Sequence, residues 1–348
     1  MKRFIPMLLL VAAAARAEEP VSFGGFIDVA YLWNGNRPAN HENFIPGTGT
    51  SGKRANEFTL NLAQVQWSRA VSAEQPAGFT LSLVAGEGTE VVHAGEPKGG
   101  DEFRHIYQAS VAYRLRNGVV LEAGVYPSHI GLEGFYSKDN WNYTRSWLGE
   151  LSPYYQAGVK ASYAFNARWS GQLHVLNGWQ LINDNNDGKA IGTQLAYSSG
   201  PLTASLNTFA GPELAGDDDS LRKFADVVVL YKVTPKLQLG GSIDVGSQEI
   251  PGADDADWRG IGGYARYAIN ERHAIAIRAE HFRDPEAGIS GAAQTLREAT
   301  ITYEMRPHER VILKLETRLD RSTADAFNDG TGRGNRQFLA LAGAVVTF

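Results

Sequence analysis

Residues 137–147 read SKDNWNYTRSW, a run in which charged, amide and aromatic side chains follow one another without an aliphatic break. Lys138, Asp139 and Arg145 are charges of both signs that can set a field across a narrow gap. Trp141, Tyr143 and Trp147 can stack on a wall or hold the face of a sugar, and Asn140 and Asn142 can bond backbone groups that a loop leaves unpaired. This is recognition by field and shape, with no activated nucleophile. Catalysis would need a Ser–His pair and an orienting partner. His41, His93, His105, His129, His174, His273, His281 and His308 are instead scattered, and neither GxSxG nor HExxH occurs. NDNNDG (183–188) puts Asn183, Asn185 and Asp187 at alternate positions, but it starts without Asp and has Gln194 where a calcium loop needs a bidentate Glu. It reads as a solvated loop. The acidic GDDDS (216–220) reads as a solvated loop, with divalent cations bridging it to a phosphate-bearing surface as the alternative. No metal or cofactor is expected.

The segments that must carry 137–147 alternate strictly. In FRHIYQASVAYRL (103–115), Phe103, Tyr107, Ala109, Val111, Tyr113 and Leu115 share one parity, and Arg104, Gln108, Ser110 and Arg114 the other. YYQAGVKASYAF (154–165) sets Tyr155, Ala157, Val159, Ala161 and Tyr163 against Gln156, Lys160 and Ser162. VILKLETRL (311–319) repeats the pattern. Successive strand side chains face opposite ways, so each segment has an oily face and a wet one.

A soluble sandwich would alternate too, so the connections decide. Short ones (72–78, 116–118, 166–168, 198–201, 234–236, 270–272, 306–309) alternate with long polar ones (34–55, 87–102, 128–152, 180–189, 211–222, 247–257, 284–294, 322–335). Sorting connections by length along a meander of about sixteen antiparallel strands is the pattern of an outer-membrane β-barrel with short periplasmic turns and long extracellular loops. No apolar run after the N-terminal segment is long enough for a spanning helix, and mean hydropathy is −0.27. In hydrocarbon an unpaired backbone group costs several kcal/mol, so a spanning sheet must close. About sixteen strands enclose more space than side chains fill. The inward parity should therefore line water with Arg104, Arg114, Glu122, Lys160, Asp244, Arg266, Arg278, Glu280, Glu298, Glu304, Lys314, Glu316 and Arg318. Tyr31, Trp33, Trp67, Trp169, Tyr197, Tyr231 and Tyr267 fall near segment ends, where aromatic girdles meet the lipid boundary. Phe58, Leu60 and Leu62 are apolar at even positions and Val65 and Trp67 at odd ones, which predicts a β-bulge near Leu62 and Ala63.

The N-terminal MKRFIPMLLLVAAAARA has basic residues, an apolar run and a small-residue end, so residues 1–17 read as a secretory signal peptide and 18–348 as one barrel domain. Removing Lys2, Arg3 and Arg16 leaves 30 basic against 38 acidic residues, a net charge of −8 that excludes nucleic acid as partner. The chain has no Cys, so neither disulfides nor thiolate sites contribute.

NEFTLNLAQVQWSR (56–69), SKDNWNYTRS (137–146), PYYQAGVKASY (153–163), NGW (177–179) and GAVVTF (343–348) resemble the OmpL-like outer-membrane β-barrel porins over nearly all of the mature chain. The resemblance implies a passive channel for small hydrophilic solutes, and a C-terminal Phe348 that the barrel-assembly machinery reads. Likeness to general porins implies a homotrimer. It also implies that the third long loop, 128–152, folds inward and constricts the pore, with Gly131 and Gly134 allowing the bend. The alternatives are an external loop packed on its neighbours, a channel specific for one solute such as an oligosaccharide, and a non-conducting adhesin or structural barrel. The partners expected are the lipid bilayer, lipopolysaccharide and small solutes.

Overall fold

The computed structural model describes residues 21–97 and 103–348. The expected signal peptide and residues 98–102 of the second long connection lie outside the described residues. The chain forms β1 (Ser22–Asn34), β2 (Glu57–Arg69) and β3 (Ala77–Ala85), a short helix α1 (Glu87–Val92), then β4 (Ile106–Arg114) and β5 (Val120–Pro127). A second short helix, α2 (Trp147–Glu150), precedes β6 (Tyr155–Ala164), β7 (Trp169–Leu176), β8 (Ala190–Ser199) and β9 (Leu202–Pro212). Next come β10 (Leu221–Lys232), β11 (Leu237–Gln248), β12 (Ala256–Ala268), β13 (His273–Asp284), β14 (Gln294–His308) and β15 (Val311–Ser322). A small hairpin, β16 (Phe327–Asp329) and β17 (Gly332–Gly334), sits in the last long connection before β18 (Arg336–Thr347).

β1 to β15 and β18 close into a sixteen-stranded antiparallel barrel, with β18 paired to both β15 and β1. Long and short connections alternate as expected, so all long ones gather at one end. Ile243, Ile261, Ile277, Ile301 and Leu315 point out and are about half exposed, an apolar outer face that only hydrocarbon would solvate well. Aromatic pairs mark the two ends of that face. Trp33 meets Phe338 at 6.0 Å near the long loops. Phe23 meets Trp67 at 5.3 Å and Trp169 meets Tyr197 at 4.8 Å near the short turns. Phe348 extends the seam there, its amide donating to the Gly25 carbonyl at 3.0 Å and its carbonyl accepting from the Gly25 amide at 3.1 Å.

Two departures from strict alternation, and one outward residue that a loop covers, follow from local geometry. Asp28 pairs with Leu62 and Val29 with Leu60, so Asn61 is the extra residue of a bulge next to the expected position. As a result Leu62, expected outside with Phe58 and Leu60, turns in and is buried, while Phe58 is 88% exposed. A second shift, with Ser82 opposite Gln108 and Leu83 opposite Ile106, makes Tyr107 the extra residue. Tyr107, also expected outside, is buried against Phe135 at 5.1 Å and Tyr136 at 4.9 Å. Tyr155 keeps its parity but lies where β4–β5 pairing has already ended at Ala109–Val125. The His93 ring stacks on it at 4.9 Å and its hydroxyl donates to Glu96, so the second loop covers it.

The interior also differs from a uniformly wet lumen. Towards the long loops the inward residues turn apolar: Leu32, Leu176, Phe209, Phe224, Trp258, Phe282, Leu296 and Leu339 are buried in one cluster with Phe44, Trp147, Leu148 and Phe327 from the loops. Burying each large side chain is worth about 1.5–3 kcal/mol, enough for the barrel mouth to hold its own loops.

Candidate functional site

The third long connection leaves β5 after Pro127 and returns at Tyr155. Near its start His129 stacks on His174 of β7 at 4.1 Å. The two His129 ring nitrogens lie 2.9 Å from the Gln156 Oε1 and 3.1 Å from the Thr208 carbonyl. Burial lowers the His129 pKa, which keeps the ring neutral beside its neighbour. The Gly131 amide then donates to Asp226 of β10 at 3.2 Å. The segment beyond it crosses the lumen: β13, whose side chains it reaches, stands eight places from β5 in a barrel of sixteen strands, half-way round.

There the loop is held by charged side chains that accept from its amides. Glu316 of β15 takes the amides of Tyr143 at 2.6 Å and Thr144 at 3.0 Å and the Thr144 hydroxyl at 2.5 Å. Glu280 of β13 takes the amides of Trp147 at 2.5 Å and Leu148 at 3.2 Å, while the Ser146 hydroxyl takes that of Gly149 at 2.9 Å. The first-turn donors of α2, which have no partner inside the helix, are thereby satisfied. Arg318 donates to the Arg145 carbonyl, Arg278 to the Thr144 carbonyl at 2.5 Å, and Lys314 to the Ser137 and Asn140 carbonyls at 2.8 and 2.5 Å. The Trp147 indole donates to Asp320 at 2.9 Å and the Asn142 amide to Thr302 at 2.7 Å. On β1, Asp28 accepts from the Tyr143 hydroxyl at 2.7 Å and the Ser137 hydroxyl at 3.0 Å.

Glu133 fastens the two limbs of the loop to each other and to the wall, accepting from the Ser146 amide at 2.7 Å and from Arg278 at 2.8 Å. Two strand glycines make room. A Cβ on Gly343 would stand 2.5 Å from the Tyr143 ring, and one on Gly192 would stand 2.6 Å from the His129 ring. A glycine inside a strand where another chain segment comes close is the expected use of the missing side chain.

The expected site residues therefore divide. Arg278, Glu280, Glu298, Glu304, Lys314, Glu316 and Arg318 face inward but are buried, so they are a docking surface and not open lining. Asp244 is buried too, opposite Asp226. Paired charges can stay there because each has a counter-ion or hydrogen-bond partners: Arg278 to Glu298 at 2.8 Å and Arg318 to Asp320 at 2.8 Å. Glu122 and Lys160 form a cross-strand pair at 2.8 Å, partly open to water. Arg266 meets Glu304 at 3.0 Å. Arg114 ends β4 at the short-turn end. Arg104 is a correction, since it precedes β4 and pairs with Glu90 of α1 at 2.5 Å instead of lying on a barrel strand.

Within the loop, Arg145 cannot contribute to a field across open water. It is buried and donates to the Gly134 carbonyl at 3.0 Å, with the Tyr154 ring at 6.0 Å. Tyr143 and Trp147 are likewise buried, and Asn140 ties back to Gly134 at 2.8 Å. Lys138 and Asp139 pair with each other at 2.8 Å, and the Asp139 side chain keeps 59% of its exposure. Trp141 stays partly exposed and lines a small cleft with Asp139, Leu230 and Tyr264. The residues that sequence reasoning missed are the acceptors: Asp28, Glu133, Asp226 and Asp320. Asp28, Asp226 and Asp320 carried the one available signal, an acid on the inward parity of a strand.

Above the loop a cleft of about 530 Å³ is lined by Thr48, Glu150, Trp179, Glu213, Arg222 and Ser290. Glu150 takes the Thr50 hydroxyl at 2.8 Å and the Gly49 amide at 3.0 Å, joining the first and third loops. Asp218 takes the amides of Asp187 at 2.8 Å and Gly188 at 3.1 Å, so the GDDDS and NDNNDG segments brace each other. Asp184 pairs with Lys189 at 2.6 Å. Glu213 accepts the Trp179 amide at 2.8 Å, and burial pushes its carboxyl up to about 7. Its folded pKa lies above the unfolded value, so the folded state binds the proton more tightly and this wall loses stability as pH rises from the ordinary Glu range through about 7. Amide exchange in residues 177–185 is expected to show a local loosening between about pH 5 and about pH 8 that Glu213→Gln abolishes.

The family described as "Putative beta-barrel porin-2, OmpL-like" matches residues 20–348. No curated relative matches the chain. Among solved structures the fold is similar to an anion-selective porin from Comamonas acidovorans, with a TM-score of 0.64 at 11% identity, covering 94% of this chain and 99% of that one. It is similar to the outer membrane channel DcaP of Acinetobacter baumannii, with a TM-score of 0.62 at 12% identity over 97% and 100% of the two chains. It is also similar to the trimer form of OmpT, an outer membrane protein of Vibrio cholerae, with a TM-score of 0.62 at 11% identity over 94% and 99%.

Proposed function

Because this chain belongs to the OmpL-like β-barrel porin family over residues 20–348, we propose that it conducts small hydrophilic solutes and ions passively across the bacterial outer membrane, with residues 128–152 as the constriction. It reaches that membrane through a cleaved signal at residues 1–17, is inserted by the barrel-assembly machinery with Phe348 as part of the signal, and works as a homotrimer.

The observation that carries this reading is the loop's path. A segment rooted on β5 and β6 is bonded to Glu316 and Glu280 across the lumen and to Asp28 a quarter of the way round, so a solute crossing the barrel must pass beside it. Mixed fixed charges beside such a gap act on ions by field, and no bond is made or broken. The same network favours one alternative, a barrel that the loop holds shut. Recordings across a planar bilayer separate the two, since a porin gives stepwise current and a plugged barrel gives none.

The open charges below the loop favour anions. Arg266 and Arg306, both partly open to water, meet the buried Glu304 at 3.0 Å, so two open cations flank one carboxylate, while Lys314, 3.8 Å from it, is covered by the loop. A reversal potential on the anion side is expected under a salt gradient, moving towards zero in Arg266→Gln/Arg306→Gln. A cation-side value in the parent protein would exclude this field as the selector.

A further inference from the structure

On the lipid-facing side of the barrel, near the long loops, basic side chains lie in direct register. His281 of β13 is opposite Arg297 of β14, Arg297 opposite Arg321 of β15, and Arg321 opposite Arg336 of β18. One step higher Arg259 of β12 is opposite Arg283 of β13. All six are exposed. Among the described residues the arginines in ion pairs are Arg54, Arg104, Arg266, Arg278, Arg306 and Arg318, and none of the ladder is among them. Asp257 and Glu286 border its β12 edge, while the β14, β15 and β18 positions have no acid in register.

Directly opposed residues on antiparallel strands stand about 4.5–5.5 Å apart, and like charges so placed destabilise a sheet. Three consecutive arginines at one level thus need an anion supplied from outside the chain. The row immediately beneath is Ala279, Ala299, Leu319 and Phe338, where the apolar band begins. The ladder therefore lies at the boundary between hydrocarbon and headgroups, on the extracellular side. Elsewhere on the outward face near the long loops Val175 and Ile191 are apolar, and Lys223 of β10 is paired with Glu249 at 2.5 Å. Arginine's planar fork pairs with phosphate oxygens in a bidentate way that a general membrane anchor does not need.

We propose that the outward face of β12–β15 and β18 is a binding site for the phosphate groups of the outer-leaflet glycolipid, lipopolysaccharide. The proposal rests on the outer-membrane reading above, because only there do phosphorylated glycolipid headgroups meet this end of the barrel. The fork geometry takes the phosphates, while Leu319 and Phe338 beneath meet the acyl chains.

The test is binding of purified lipopolysaccharide, and of the same material stripped of phosphate, to the detergent-solubilised protein, with planar-bilayer current recorded on every variant. The parent protein is expected to prefer the phosphorylated form. Arg297→Gln/Arg321→Gln/Arg336→Gln is expected to weaken that binding about tenfold, as three exposed charge pairs would. The corresponding triple lysine variant, which keeps the charge but loses the fork, should retain only part of it. Equal binding of the stripped form, or unchanged affinity of the glutamine variant, overturns the proposal. Displacement of the lipid by inorganic phosphate at matched concentration overturns the lipid assignment as well. Current is expected to be the same in all variants, so loss of the lipid site and failure of the channel reading give separate readouts.

Discussion

A chain lacking residues 137–147 is expected to carry several times the single-channel current of the parent protein. The removed segment is the part of the third loop that crosses to the far wall. Its loss would uncover Glu316, Glu280, Lys314, Arg278 and Arg318, which it buries. Freed of the loop, those groups would be hydrated by the widened channel, which avoids the several kcal/mol per ion that dry, unpaired charges would cost. The barrel should survive, because its strand pairing uses no loop residue and closes through β1 and β18. Heat-modifiable migration on a gel would verify the fold. Unchanged current in a folded deletion would remove the loop from the conduction path.

The second large effect is expected from one atom pair. In Glu316→Ala the amides of Tyr143 and Thr144 lose their acceptor while the surrounding wall still excludes water. Two stranded buried donors cost about 2–6 kcal/mol. Most of that cost falls on the docked loop, since on the wall only the Thr302 hydroxyl loses its acceptor and the Glu316 backbone still pairs with Thr302 and Leu341. The loop should then leave the wall for part of the time. Trypsin cutting after Lys138 or Arg145, both held in the loop of the parent, would report the release, together with noisy current between two levels. Glu316→Gln keeps one acceptor oxygen and should fall between the two. Resistance to trypsin equal to that of the parent would show that the clasp lies elsewhere.

The barrel was legible because two-residue periodicity is a local property. In β15 the alternation of Ile312, Lys314, Glu316 and Arg318 with Leu313, Leu315, Thr317 and Leu319 declares both faces without knowledge of any neighbour. Connection lengths likewise declared which end carries the loops. Bulges were legible only where the parity visibly slipped. The Asn61 bulge showed itself in the apolar residues on both sides, but at Tyr107 the extra residue is an aromatic that either face would accept.

What Glu316 or Lys314 faces across the lumen was not legible, because that partner is set by three-dimensional closure. An inward charge that lines water and one that clasps a loop look alike on a strand. Arg145 was misplaced for a related reason: in a loop, nothing periodic distinguishes a guanidinium aimed at solvent from one folded back on the Gly134 carbonyl. The arginines of the ladder were equally hidden, being an outward charge on each strand that becomes a row only when the registers align.

The pairing of β1 with β18 has a consequence for biosynthesis. Asp28 and Val345 face each other across the seam although more than three hundred positions separate them along the chain. Hairpins such as β13–β14 need only nearby segments and can form early, but β1 must wait until the last strand has been made. Until then its half-oily ribbon has no partner on that flank, and non-local pairings of this kind are slow and prone to aggregate. A nascent chain of this design needs an escort that shields β1 for the whole of translation, and slowing synthesis should lengthen its stay on that escort.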